Sequence, residues 1–195
     1  MSEVKRTLVD RDNLPKQFPT HRHTSEFWEK LGRTVATFSF LEEILKKAIF
    51  ALDATKIYSS EEDLNKAYAK WSAKLESMMT DQLFKLSVSY HEATKTHQEF
   101  SAEAESVCEL VEALKKASKI RNILCHGSWG APDSNGKSLP FFINKNLEIL
   151  ETQIDVAFLE QVQKHVTDLI CDVINSITSK GWRFPSWNNP GKPIF

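Results

Sequence analysis

The sequence predicts an all-α protein, a bundle of four to five helices with a small hairpin or loop insertion before the last helix. Three observations predict it. Apolar residues recur at steps of three and four along several long stretches. Six glycines and seven prolines in 195 residues are too few for many tight turns. Dense turn chemistry is confined to residues 131–138, Ala-Pro-Asp-Ser-Asn-Gly-Lys-Ser.

Residues 1–25 carry charge, two prolines and two histidines without periodicity, and read as an extended or partly ordered arm. Thr24 or Ser25 supplies a hydroxyl for a helix start. From Glu26 to about Leu52 the line Phe27, Leu31, Val35, Phe38, Leu41, Leu45, Ile49, Leu52 marks the first helix. Glu42 with Lys46 and Glu43 with Lys47 stand in the favoured i,i+4 order for an exposed face. Ser60-Glu61-Glu62-Asp63 opens a second helix, its acids at the positive end of the dipole. Its line Leu64, Tyr68, Trp71, Leu75, Met78, Met79, Leu83, Leu86 runs to about Tyr90, with a break expected near Ser72 or Thr80.

Ser101 opens a third helix with the line Val107, Leu110, Val111, Leu114, Ala117, Leu124, stopped by Gly127 and Gly130. An insertion over 131–154 follows, with Phe141–Ile143 and Leu147–Ile154 expected to form a hairpin around Asn144-Lys145-Asn146. Asp155 caps a last helix to about Ser179, and Gly181 ends it. Residues 26–180 thus form one helical domain, and 181–195 an aromatic tail that packs on its own surface or a partner's.

Composition narrows the function classes. Apolar residues are 41% and charged residues 26%, ordinary for a globular chain. The formal net charge of -1 excludes a protein that depends on general affinity for nucleic acid, so any RNA contact needs a local basic patch. Cys108, Cys125 and Cys171 are odd in number and form no CxxC pair, which predicts neither a disulfide framework nor a zinc site. No apolar run is long enough to span a membrane and the first residues are no signal peptide, so a cytoplasmic protein is expected. Neither a cofactor nor a metal is expected; His21 and His23 alternate on the arm without a third ligand. His91, His97 and His165 read as surface polar groups, and Trp129, Trp182 and Trp187 as packing residues.

The densest polar signal lies at the end of the third helix, Lys115-Lys116-Ala117-Ser118-Lys119-Ile120-Arg121-Asn122-Ile123-Leu124-Cys125-His126-Gly127-Ser128-Trp129. Asn122 and His126 are four apart and share a helix face, whereas Arg121 lies roughly 140° around from His126. One helix therefore does not aim both at one atom; two copies crossing at a two-fold axis would. Histidine suits proton transfer near neutral pH, and an arginine fork matches a phosphate that gains charge as it is attacked. With an asparagine to orient, these residue types suffice for metal-independent RNA transesterification, because the 2′-hydroxyl supplies the nucleophile. Lys115, Lys116 and Lys119 are either a solvated face or a strip that steers phosphate, with Trp129 near enough to contact RNA. Arg121 has the alternative of pairing with Glu112 or another carboxylate. Glu42 either pairs with Lys46 or faces the motif. Cys125 reads as a core residue, because neighbours on a helix point about 100° apart and a Cys125–His126 pair has poor geometry.

Arg121-Asn122-x-x-x-His126, late in a core helix and followed by glycine, resembles the Rx4-6H motif of HEPN-domain proteins. Thr37-Phe38-Ser39-Phe40-Leu41-Glu42 in the first helix is similar to such proteins as well. The resemblance implies a HEPN-like bundle and a homodimer with both motifs in one cleft. It also implies endoribonuclease activity leaving 2′,3′-cyclic phosphate and 5′-hydroxyl ends. In that family the setting is often a toxin–antitoxin or phage-defence system, with an antitoxin or operon-encoded protein as partner. It equally allows a non-catalytic RNA- or protein-binding regulatory module.

Overall fold

The computed structural model describes residues 7–143 and 152–185, apart from the side chains at positions 73, 75 and 76. The chain is all-α. It runs through α1 (Ser25–Ala54), α2 (Glu61–Thr80), α3 (Leu83–Lys95), a short 3-10 helix (Gln98–Glu103), α4 (Ala104–His126), strands β1 (Ser128–Trp129) and β2 (Pro140–Phe141), and α5 (Val156–Thr178).

Helix α1 is the spine. Thr24 caps it by accepting the Phe27 N–H at 3.2 Å. Its stripe Phe38, Leu41, Leu45, Ala48, Ile49 and Leu52 is wholly buried. It packs most extensively on α5 and next on α3. Helix α5, capped by Asp155, buries Leu159, Val166, Val173 and Ile177 in return. Two polar ties fix the pairing: Lys30 meets Glu160 at 2.6 Å, and the Thr34 hydroxyl bonds the Leu159 carbonyl at 3.3 Å. On the other side Tyr90 of α3 meets Ser176 of α5 at 2.6 Å, and burial pushes its phenol up to about 12.

The break in the second helical stretch falls at Asp81-Gln82, both extended, although the apolar spacing runs on through it. Helix α1 caps both sides of that break. The Lys46 ammonium donates to the Met79 carbonyl at 3.0 Å, one of the carbonyls freed at the end of α2. The Glu42 carboxylate accepts the Leu83 N–H at 3.2 Å, at the start of α3, where Gln82 makes no side-chain cap of its own. Cation at the C-terminal end and anion at the N-terminal end is the order the helix dipoles favour. Glu42 and Lys46, expected as candidates for an i,i+4 pair, are therefore used across the bundle, whereas Glu43 and Lys47 do pair, at 2.6 Å.

The arm, expected as extended or partly ordered, is ordered at its junction with α1: Trp28 donates to the Thr20 carbonyl at 2.8 Å, and His23 stacks on Phe27 at 4.3 Å. In the insertion, β2 pairs back onto β1, with Phe141 opposite Ser128, and Ser138 bridges Ile154. The expected hairpin turn, Asn144-Lys145-Asn146, lies outside the described residues, as does Trp187 in the tail. His97 is buried rather than a surface group, because its ring serves as a cap. Its Nδ1 accepts the Glu99 N–H at 3.3 Å, and Phe100 and Trp182 flank the ring.

His97 gives a pH prediction. The Thr55 hydroxyl donates to the Ala51 carbonyl, so His97 Nε2–H donates to Thr55 Oγ1 at 3.2 Å, and the neutral ring is fully satisfied. Burial first, and then the Lys56 charge, hold His97 below the usual histidine value; burial does the same to His23. A histidine depressed in the fold takes its proton more readily when unfolded. Stability is therefore complete above about pH 6.5 and is lost as pH falls through that value toward the lowered native ones. The urea midpoint should drop between pH 7.5 and 5.5, and His97→Asn should flatten that slope; an unchanged slope in the variant would assign the effect elsewhere.

Gly127 is required by a close approach rather than by its backbone angles. A Cβ there would lie 2.6 Å from the Ile123 carbonyl oxygen and 2.9 Å from Pro140 Cβ. Neither neighbour is a flexible tip, so Gly127→Ala should cost about 1–3 kcal/mol of stability, read from urea unfolding. Gly130→Ala, which meets nothing within 4 Å, is the control expected to stay unchanged.

Candidate active site

Helix α4 buries Val107, Val111, Leu114, Ala117 and Leu124. Counting on by three and four from Leu114 and Ala117 arrives at Arg121 before Leu124, so Arg121 occupies a position in the core stripe. Its guanidinium turns into the bundle and meets a carboxylate there. Arg121 Nε lies 3.4 Å from Glu42 Oε1, with the two side chains 18% and 15% exposed. The same Glu42 oxygen accepts the Leu83 amide. One carboxylate thus joins α1, the start of α3 and the end of α4. Glu112 is not the partner of Arg121; it pairs with Lys115 at 2.7 Å, and that contact holds its carboxyl below the usual range.

Arg121 also donates to Asn122 Oδ1 at 3.3 Å. Asn122 is half-buried, and His126, one turn further on, is exposed in the last turn of the helix. Gly127 closes that turn through its N–H to the Ile123 carbonyl at 2.8 Å. The imidazole of His126 makes no hydrogen bond among the described residues. Arg121 faces inward and His126 outward, so the divergence expected from helical geometry holds within one chain.

Around this core the other candidates divide. Lys116 and Lys119 are exposed, while Lys115 is engaged by Glu112. Trp129 is half-buried in an aromatic cluster, 5.1 Å from Phe27 and 6.3 Å from His23 between ring centroids, so most of its faces are already used. Ser138 anchors that cluster by joining His23 at 2.7 Å and donating to the Gly130 carbonyl. Cys125 is exposed rather than buried in the core: it follows the buried Leu124 by one residue, about 100° around the helix. Cys108 and Cys171 are exposed as well.

No group of three His, Cys, Asp or Glu side chains among the described residues could hold a metal ion. No helix among them is long and apolar enough to cross a membrane. No protein-family model matches the chain, nor does any curated protein or solved structure.

Proposed function

We propose that the chain is a metal-independent endoribonuclease of HEPN type, acting as a homodimer on RNA in the cytoplasm. The observation that carries this reading is the end of α4. An arginine is held in a core position by a carboxylate, and an asparagine and an unencumbered histidine occupy the outward side of the same two turns. Arg121 uses Nε on Glu42 and one terminal nitrogen on Asn122, which leaves its remaining donors for a phosphate oxygen. Two copies meeting at this end would bring the part-exposed edge of each guanidinium toward the outward imidazole of the other. Phe84 and Val88, exposed one turn apart at the start of α3, follow the Leu83 amide that Glu42 binds and give a second copy an apolar surface.

In the proposed reaction an imidazole takes the proton of the ribose 2′-hydroxyl. The 2′-oxygen then bonds to phosphorus and the bond to the 5′-oxygen breaks. An imidazolium returns a proton to that leaving oxygen, so a 2′,3′-cyclic phosphate and a 5′-hydroxyl result. His126 is the general acid or base, Arg121 stabilises the charge on the pentacoordinate phosphorus, and Asn122 orients. Lys116 and Lys119 steer the strand. A chain with this activity needs restraint, which makes an antitoxin or operon partner, and a toxin–antitoxin or phage-defence setting, part of the same proposal.

One observation favours a second reading, a non-catalytic HEPN-like module that binds RNA or protein. Glu42 neutralises Arg121 and covers much of it, which is also how a purely structural arginine is held. One assay separates the two. Purified protein is incubated with mixed RNA in excess chelator beside Arg121→Ala and His126→Ala. Cleavage that leaves cyclic phosphate ends and is lost in both variants supports the enzyme. Intact RNA at high protein concentration, or a strict monomer in solution, favours the module.

A further inference from the structure

Helix α2 carries an apolar line that the bundle leaves largely uncovered. Only Met78, near its end, is fully buried among its described apolar residues, while Leu64 and Tyr68 stay exposed and Trp71 is half-buried. The helix stands away from the ends of α1 and α3 and leaves a cleft of about 830 Å³. That volume is in the range of ligand sites rather than packing defects. Its floor is aromatic: Trp71 lies 5.4 Å from Phe50 and 5.9 Å from Tyr68 between ring centroids. Its α2 rim carries Lys70 and Lys74, one helical turn apart and without an ion pair among the described residues. Lys56, also in the lining, is satisfied by Asp53 at 2.8 Å. The α3 wall presents the Glu92 carboxylate.

We infer that this cleft is a binding site for single-stranded RNA, separate from the motif on α4. Rings in contact give stacking faces to successive bases, and two ammonium groups one turn apart on one rim match backbone phosphates. Glu92 decides between anions. A fatty acid or an acidic peptide has no use for a carboxylate on the facing wall, whereas the exocyclic amines of adenine, guanine and cytosine donate to one. The site lies about 14 Å along α3 from Leu83, where Glu42 and Arg121 meet, which is within reach of a short strand. It also answers how a chain of net charge -1 takes hold of RNA: by stacking with a few placed cations instead of general attraction. The identity of the occupant rests on the RNA reading above; the cleft does not.

The test is fluorescence anisotropy with a labelled single-stranded 2′-O-methyl oligonucleotide, which lacks the attacking hydroxyl and stays intact whether or not the protein is a nuclease. The wild-type chain should bind it, and Trp71→Ala should weaken binding about tenfold or more. Lys70→Gln with Lys74→Gln should reduce the slope of log affinity against log salt by about 1.4. This second variant alters only rim side chains and remains informative if Trp71→Ala fails to fold by circular dichroism. Absence of binding, or equal binding by the wild type and the lysine double variant, would overturn the proposal. So would displacement of the probe by adenosine monophosphate at the probe's own affinity, which would make the cleft a mononucleotide site. Because no cleavage is read, a failure here leaves the nuclease reading untouched, and a failure of the chelator assay leaves this measurement valid.

Discussion

Glu42→Ala is expected to destabilise the protein by about 3 kcal/mol, more than an exposed i,i+4 partner would, because one carboxylate does two jobs. It caps α3, a role worth about 0.5–2 kcal/mol when removed. It also neutralises an arginine that lies in the core stripe of α4. Leaving a charge buried without its partner costs about 3–5 kcal/mol in a sealed site, and less here because both side chains keep a little exposure. Glu42→Gln keeps an acceptor for the Leu83 amide and loses only the charge, so about half the effect should remain. Arg121→Met in the Glu42→Ala background should recover part of the loss, since the unpaired guanidinium is removed along with its partner. Urea unfolding of the two single variants and the double variant measures the coupling. Additive losses would mean that the 3.4 Å approach carries no energy.

The same pair shows what was legible in the sequence. Helix existence and type followed from the spacing of Phe38, Leu41, Leu45 and Leu52 in α1 and of Leu159, Val162, Val166 and Val173 in α5, which bury as their period requires. The Asp81-Gln82 break adjoins Thr80, one of the two places where the uncapped length of the stretch predicts it; its caps, Lys46 and Glu42, come from 33 and 41 residues away. The charge of Arg121 masks its place in the helical phase. A charged residue seven from Leu114, four from Ala117 and three from Leu124 belongs to a core stripe and demands an opposite charge on a facing stripe. Glu42, next to Leu41 and one turn from Phe38 and Leu45, is such a residue. That complementarity is present in the sequence, but which helix faces which is a tertiary fact. His97 looks like a surface group in the sequence for a similar reason: its neighbours Thr96, Gln98 and Glu99 are polar, and the ring is covered by Trp182, 85 positions on. The cleft under α2 runs against the pattern, since an apolar line predicts burial and Leu64 and Tyr68 stay exposed.

His126→Ala should separate chemistry from architecture in the way that Glu42→Ala does not. The imidazole is exposed and makes no hydrogen bond among the described residues, so its removal should change stability by less than about 0.5 kcal/mol. A positioned general acid or base contributes about 10²- to 10⁴-fold to rate, and the cleavage proposed here should fall by that factor with substrate affinity little altered. Cys125→Ala is the matched control. Its thiol is exposed beside the imidazole, but about 100° around the helix, so loss of the sulfur should leave cleavage intact. Arg121→Lys tests the other half of the site. Lysine keeps the positive charge but gives up the fork that serves Glu42 and a phosphate together, so a large rate loss is expected with a smaller stability loss than Arg121→Ala. Cleavage that survives His126→Ala within about tenfold would assign the reaction to other groups.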